Sequence, residues 1–365
     1  MYYQDELNAL KKASRYRTRE LYRDDILDFA SNDYLGLAHN KELHNLSSQT
    51  LSKLSINSTK ASMLVNGYHQ IHKDFEDELC LANGFEDAIV LGSGFNANIA
   101  LVEALVRKND ELFMDEKYHA SGVLATKLEG KKTTFFKHND VDELDGLLKN
   151  SKAKRKIIAI EGIYSMDGDL AKKEIFDLAK KYDALLVVDE AHSSGVIGKN
   201  LMGIFDYYEL KIEPNHIKMG TLGKAYGSFG AFILASHHIV EYLLNRAKPI
   251  IYATSLSLYD TLLAHNALRY MLKNKDELTN KLYERKKIIK DRLGYDIKSM
   301  ILPINIGDNK RVIKIKDELK SLGFMVGAIR QPTVDSAILR VIPRVANTKD
   351  NLLCLCQNLD KILKS

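Results

Sequence analysis

The stretch "ALLVVDEAHSSGVIG" spans residues 184–198. Its apolar run ends abruptly on an acid, Asp189, followed at once by a turn-forming segment. A continuous apolar, β-branched run of this length reads as a strand buried on both faces. It follows a helical pattern, "KEIFDLAKKYDA" (173–184), and the alternation repeats on either side. "DAIVLGSG" (87–94), "ELFMDEK" (111–117), "KTTFFKH" (132–138), "RKIIAIEG" (155–162), "HIKMGTLG" (216–223) and "GAFILAS" (230–236) read as further strands. Helical patterns at 95–109, 118–130 and 141–152 lie between them. Buried strands alternating with helices predict an α/β domain, a three-layer and mostly parallel sheet.

The pattern changes after residue 245. A long helical segment (256–292) leads to "SMILPINIG", the helix "KRVIKIKDELKSLG", the strand "AILRVIP" and a last helix. We expect three parts: an N-terminal arm (1–35), a large α/β domain (36–245) and a smaller C-terminal α+β domain (246–365).

Composition narrows the function. Hydrophobic residues make up 45% of the 365 and charged residues 28%, ordinary for a globular chain. The net charge of +5 is spread along the sequence rather than clustered, so no nucleic-acid footprint is expected. The apolar runs are too short for a membrane-spanning helix. Three cysteines, Cys80, Cys354 and Cys356, fit a reducing compartment, and we expect a cytoplasmic protein. The last two lie two residues apart in a helical pattern, an offset that does not converge two ligands, so no metal is expected.

In sheets of this kind ligands sit beyond the carboxyl ends of the strands. Three polar groups are expected there: "GSGFN", "DEAH" and "TLGK". Lys224, among glycines in "MGTLGKAYGSFGA" (219–231), admits two readings: a phosphate-holding cation, or an amine that bonds covalently. A nucleotide loop needs G-x-x-x-x-G-K followed by Ser or Thr. Gly220 and Gly223 are three apart and Ala225 follows the lysine, so that reading fails. Asp189, thirty-five residues earlier, would be costly to bury without a partner. A strand-end acid, a strand-end lysine and an anion-favouring helix start in "GSGFNANIALVEAL" together suggest pyridoxal phosphate.

The words "SNDYLGL" (31–37), "GSGFNAN" (92–98), "YHAS" (118–121), "EGIYSMDGD" (161–169), "DEAHSSGVIG" (189–198), "TLGKAYGSFGA" (221–231), "YATSLS" (252–257) and "AIRQPTV" (328–334) stand in an order and spacing that resemble the α-oxoamine synthases of the fold-type I pyridoxal-phosphate enzymes. The resemblance covers about residues 17–345. It implies a decarboxylative acyl transfer in which Lys224 holds the cofactor and moves the Cα proton. Asp189 would meet the ring nitrogen, and His192 and Ser165 the phenolic oxygen. His119 would stack on the ring, and Gly94, Phe95 and Thr221 would hold the phosphate. Thr254 and Ser255 would reach the phosphate of a second subunit, which implies a homodimer with a shared active site. Arg340 would bind the amino-acid carboxylate, with Arg17 and Thr333 beside the acyl group. "SNDYLGL" and "AIRQPTV" point to L-alanine and a pimeloyl thioester, carried on coenzyme A or a carrier protein; sister enzymes take glycine and acetyl-CoA. A non-catalytic subunit should have lost the lysine, and Lys224 is present. One word departs from the family. In "INSTKASMLVNG" (56–67), Asn57, Ser58 and Ala61 stand where glycines are expected and Met63 near an expected arginine, so the loop should differ in shape.

Overall fold

The computed structural model describes residues 2–23, 25–128 and 132–364, Leu128 by its backbone alone. The chain forms two compact units. The larger comprises Leu35–Ser165 and Asp169–Thr279, the smaller Met1–Tyr34, Met166–Gly168 and Asn280–Ser365.

Strand β1 (Leu27–Asp28) belongs to the smaller unit. The next seven form one sheet: β2 (Asp87–Leu91), β3 (Glu111–Asp115), β4 (Thr133–Phe136), β5 (Lys156–Glu161), β6 (Leu185–Asp189), β7 (His216–Thr221) and β8 (Ala231–Ala235). Their order is β2-β8-β7-β6-β5-β3-β4. Neighbours from β4 across to β7 pair in parallel, and β8 runs antiparallel to both β7 and β2. The central strands are buried along almost their whole length, which is why their sequences are continuous apolar runs rather than alternating ones. The expected 118–130 helix forms as Ala120–Leu128, and positions 129–130 lie outside the described residues.

Helix Gly94–Leu105 packs Ala97, Ala100, Leu101 and Ala104 into this core. Small residues let it lie close to the sheet. Ser93 caps it, accepting the Asn96 amide at 3.2 Å. In the loop after β7, Gly227 sits at φ +61, and a Cβ there would lie 2.3 Å from the Ala38 nitrogen. Only glycine lets "GKAYGSFG" press so closely on the backbone of "SNDYLGL".

The helical segment expected at 256–292 is two helices, Leu258–Lys273 and Lys275–Leu293. Asn274 separates them, its side chain bonding the Tyr270 carbonyl at 2.8 Å and competing with the helical ladder. The first helix packs on helices Lys41–Leu51 and Gln70–Asn83, so the larger unit extends past residue 245.

In the smaller unit, β1 pairs in parallel with β10 (Phe324–Met325). Strands β9 (Leu302–Gly307), β11 (Gly327–Ile329) and β12 (Ala337–Val341) form an antiparallel sheet ordered β11-β12-β9. Helices Asn309–Ser321 and Lys349–Lys364 contribute Val312, Leu319, Leu355 and Leu359 to a core with Phe29, Leu302 and Leu339. Residues 1–34 therefore belong with the smaller unit through β1.

One charged node braces the larger unit. His138 donates from Nδ1 to Asp115 at 3.1 Å and from Nε2 to Asp169 at 2.8 Å. Tyr164 donates its hydroxyl to Asp115 at 2.8 Å and sets its ring edge against the imidazole. The Asn139 backbone amide and side chain bond Asp115 and Asp169. Burial of His138 opposes its charge, but the two carboxylates win and raise it to about 9. A folded value above the unfolded value of about 6.5 stabilises fully below about 6.5 and is lost as the pH rises through about 9. With allowance for solvent screening of the half-buried ring, the effect is on the order of 1–2 kcal/mol. His138→Gln should therefore lower the unfolding free energy most near pH 6, with the deficit shrinking toward pH 10. Denaturant titrations at several pH values check this, and a pH-independent deficit would count against it.

Candidate active site

Asp189 is the last residue of β6 and is 4% exposed. Its Oδ2 accepts the Asn98 side-chain amide at 2.9 Å, and its Oδ1 accepts the Ala191 N–H at 3.0 Å. Both donors are neutral amides. They orient the carboxylate without neutralising it, so it suits a cationic ring nitrogen. The residue after Ala191 is His192, whose Nε2 lies 2.8 Å from the Lys224 Nζ. Lys224 comes from the loop after β7, the strand beside β6. The structure thus brings Lys224 to His192, and both to the strand ends that carry Asp189 and Thr221.

His119 opens the segment after β3 and is fixed by a short relay. Its Nδ1 is 2.7 Å from Ser121 Oγ and also accepts the Ser121 N–H at 3.3 Å. Ser121 Oγ accepts from Asn98 at 2.9 Å, and Tyr118 donates to Asn98 Oδ1 at 2.7 Å. An Nδ1 that accepts leaves the proton on Nε2. Burial pushes His119 below its usual value, opposed by Asp189 and aided by Lys224, so the ring is held neutral. Asn98 thus links two predicted residues, His119 and Asp189, yet sequence reasoning gave it no role. Its signal was a polar side chain one turn into the mostly apolar helix "FNANIALVEAL".

Gly94 and Phe95 open a helix whose first amides have no partner within it. A Cβ on Gly94 would lie 3.7 Å from Thr221 Cβ, so the helix start and Thr221 are neighbours. Thr221 Oγ1 donates to the Gly230 carbonyl at 3.0 Å and accepts the Gly223 N–H at 3.4 Å. Ser165 is buried in the turn after β5, its amide donating to Glu161 Oε2 at 3.0 Å. This donor set fits pyridoxal phosphate: a carboxylate for the ring nitrogen, an amine, a flat neutral ring and a helix start beside a hydroxyl. Among the described residues, no three His, Cys, Asp or Glu side chains are placed to hold a metal.

The remaining predicted residues lie on other stretches of the chain. Thr254 is exposed and Ser255 buried, and the latter is tied within its own chain to the 56–67 segment. Its N–H donates to the Ala61 carbonyl and its carbonyl accepts from Thr59, both at 3.0 Å. In that segment the left-handed residue is Lys60, φ 65, rather than Asn57, Ser58 or Ala61. Gly67 is indispensable there, since a Cβ would lie 2.0 Å from the Ala61 carbonyl oxygen. In the smaller unit, Arg17 reaches Thr333 Oγ1 at 3.4 Å, while the neighbouring Arg15 reaches Gln331 at 3.2 Å. Arg340, buried on β12, donates to Asn32 Oδ1 at 2.9 Å.

Residues 24–359 match the family described as aminotransferase class I and II, and the chain belongs to that family. The chain is 43% identical to the 8-amino-7-oxononanoate synthase of Helicobacter pylori strain 26695, over 97% of this chain and 95% of the relative. A putative 8-amino-7-oxononanoate synthase of Aquifex aeolicus is 36% identical over 99% and 98% of the two chains. Among solved structures, the 8-amino-7-oxononanoate synthase of Francisella tularensis superposes with a TM-score of 0.79 at 28% identity, covering 94% of this chain and 99% of that one. Serine palmitoyltransferase from S. paucimobilis superposes at 0.90 with 22% identity, over 99% and 96%, a likeness of fold.

The site yields a direct test. Lys224→Ala should lose all cofactor that borohydride reduction can fix to the chain, seen by mass spectrometry. Asp189→Asn should keep its melting temperature within a few degrees yet lose at least about 100-fold in kcat, the scale expected when a charge aimed at the reacting system is removed. Near-normal turnover in Asp189→Asn would remove Asp189 from this role.

Proposed function

We propose that this protein uses pyridoxal phosphate to condense L-alanine with a pimeloyl thioester, losing carbon dioxide and the thiol and giving 8-amino-7-oxononanoate for biotin synthesis. The observation that carries the reading is the Lys224–His192 contact of 2.8 Å, on a turn that begins with the buried Asp189. The 43% identity to a synthase of that name, across nearly the whole chain, supports the particular reaction.

Bound at this site, the cofactor supplies an electron sink for the charge that develops at the amino-acid Cα. Asp189 keeps the ring nitrogen cationic. Lys224 holds the cofactor, then takes the Cα proton and returns one; bonding the cofactor and taking the proton need a neutral amine, and the ammonium so formed returns the proton. His192, within hydrogen-bond reach of the amine, accepts or shares its proton. His119 is neutral, with Nδ1 committed to Ser121, so its Nε2–H is available to the substrate carboxylate. Amides of Gly94 and Phe95 and the Thr221 hydroxyl hold the phosphate, and Ser165 serves the phenolic oxygen beside His192. In the smaller unit, Arg340 offers a guanidinium fork to the amino-acid carboxylate, and Arg17 and Thr333 serve the acyl group.

The test is a matrix of L-alanine, glycine and L-serine against pimeloyl, acetyl and palmitoyl thioesters, with pimelate on coenzyme A and on a carrier protein. L-alanine with the pimeloyl donor should exceed every other pair in kcat/KM by at least about tenfold, a discrimination the burial of a few methylenes can supply. Preference for glycine with acetyl-CoA would overturn the reading.

We further propose a cytoplasmic homodimer in which Thr254 and Ser255 serve the phosphate site of the second copy. Among the described residues, no helix is long and apolar enough to cross a membrane. Val65 and Tyr252, 77% and 78% exposed, flank the Ala61–Ser255 contact and give the apolar surface such a contact needs. Lys224→Ala and the double variant Thr254→Ala/Ser255→Ala should each be nearly inactive alone. Mixed and re-equilibrated, they should recover measurable turnover, because a mixed dimer holds one intact site. Absence of recovery in confirmed mixed dimers would refute a shared site.

A further inference from the structure

Glu161 ends β5 in direct register with Asp189 on β6. In a parallel pair, residues in register project from the same face, so two carboxyl groups stand side by side at the strand ends. Glu161 is 1% exposed. Its Oε2 accepts the Ser165 amide at 3.0 Å. Its Oε1 is fully buried with no hydrogen-bond partner among the described residues. Nothing in the mechanism above uses it.

A buried carboxylate oxygen without a donor is costly. The cost is relieved if Oε1 carries a proton, because it then seeks an acceptor instead. Burial raises the Glu161 carboxyl well above the usual range, the adjacent Asp189 charge raises it further, and Lys224 opposes both. Two acids this close do not both ionise. Asp189 has two amide donors and Glu161 one, with Glu161 Oε1 left without any, so Glu161 is the acid that carries the proton.

We propose that Glu161 is a further cofactor-binding residue: a neutral carboxylic acid that donates from Oε1 to the phenolic oxygen of pyridoxal phosphate while its Oε2 positions Ser165 for the same oxygen. Asp189 serves the ring nitrogen from one strand, and Glu161 with Ser165 serves the oxygen from the next. Glu161 withholds a second negative charge from a site that must stabilise a phenolate, and it supplies a donor in its place. Its shape is also enforced from behind. A Cβ on Gly162 would lie within 2.9 Å of Glu190 Oε2 and Ser193 Oγ, so the chain after Glu161 cannot shift outward.

This inference rests on the proposed cofactor, and the experiment separates the two. Wild-type protein is titrated with pyridoxal phosphate, and failure to bind it or develop its visible absorbance sinks the cofactor reading itself. If wild type binds, Glu161→Gln and Glu161→Leu are compared with it. The glutamine keeps both the acceptor for Ser165 and a donor, and should hold the cofactor Kd within about threefold and leave the absorbance–pH midpoint within about half a unit. The leucine should weaken cofactor binding about tenfold or more, the loss typical of one charge-assisted hydrogen bond, and should shift that midpoint upward. Infrared difference spectra of the wild-type holoenzyme should show a protonated-carboxyl stretch that is missing in Glu161→Gln, a readout independent of folding margin and turnover. The proposal is overturned if glutamine is as damaging as leucine, if leucine changes neither Kd nor midpoint, or if the protonated-carboxyl band is absent from wild type.

Discussion

The site depends on burying and orienting one carboxyl group, that of Asp189, inside a folded core. Asp189 sits where β6 leaves the sheet, and stripping its water without replacement would cost several kcal/mol. The replacement is small: the Ala191 amide from its own turn and the Asn98 side chain from helix Gly94–Leu105. That second donor constrains much else. Asn98 must reach the sheet, so its helix must lie close, and the alanines at 97, 100 and 104 permit it. The same helix then presents its N-terminus beside Thr221. One element thereby touches both strand ends, and the distance between its N-terminal amides and the Asp189 carboxyl becomes a property of a single helix.

Three buried acids near these strand ends are handled in three ways. Glu190, fully buried, accepts the Ile204 amide through both oxygens and the Ser193 hydroxyl, with Lys218 Nζ 3.9 Å away. Lys218 is itself buried and bonded to Asn83 and the Met202 carbonyl. That pair is a structural clamp that ties the turn at 203 to β7. Asp189 accepts two neutral amides, from Asn98 and Ala191. Glu161 has a single donor. The difference in donor number, more than the residue type, decides which acid braces the fold and which faces chemistry.

The strands were legible because burial on both faces writes itself as continuous apolar sequence, as in "LLVVD" and "AFILA". Pairing was less so. The two-residue β1 finds β10 nearly three hundred residues away, and neither "LD" nor "FM" carries a local signal of that partnership. An arm was expected where the chain instead joins the smaller unit. The break at Asn274 was hidden because asparagine tolerates helices well enough that only its bond to Tyr270 reveals the end. In the site, Lys224, Asp189 and His192 were conspicuous as polar residues among glycines and apolar strands. Asn98, Ser121 and Glu161 were not, although each stands inside a word that marked the resemblance. Their roles exist only through contacts across strands and helices: register places Glu161 beside Asp189, and a helix turn places Asn98 against it.

The smaller unit shows the same division of labour between two arginines. "SND" contributes Asn32 to Arg340 and Asp33 to Arg344. Arg344, 2% exposed, is gripped by the carboxylates of Asp28 and Asp33, so its charge is spent on tying β1 and the chain after it to the segment following β12. Arg340 donates to the amide oxygen of Asn32, a contact that orients the guanidinium. An amide oxygen orients a guanidinium through one bond, whereas two carboxylates grip it from two sides. The neighbours Asn32 and Asp33 therefore hold two arginines four residues apart in different ways, Arg340 through an amide oxygen and Arg344 through a carboxylate, much as Asp189 and Glu190 differ in their donors in the larger unit.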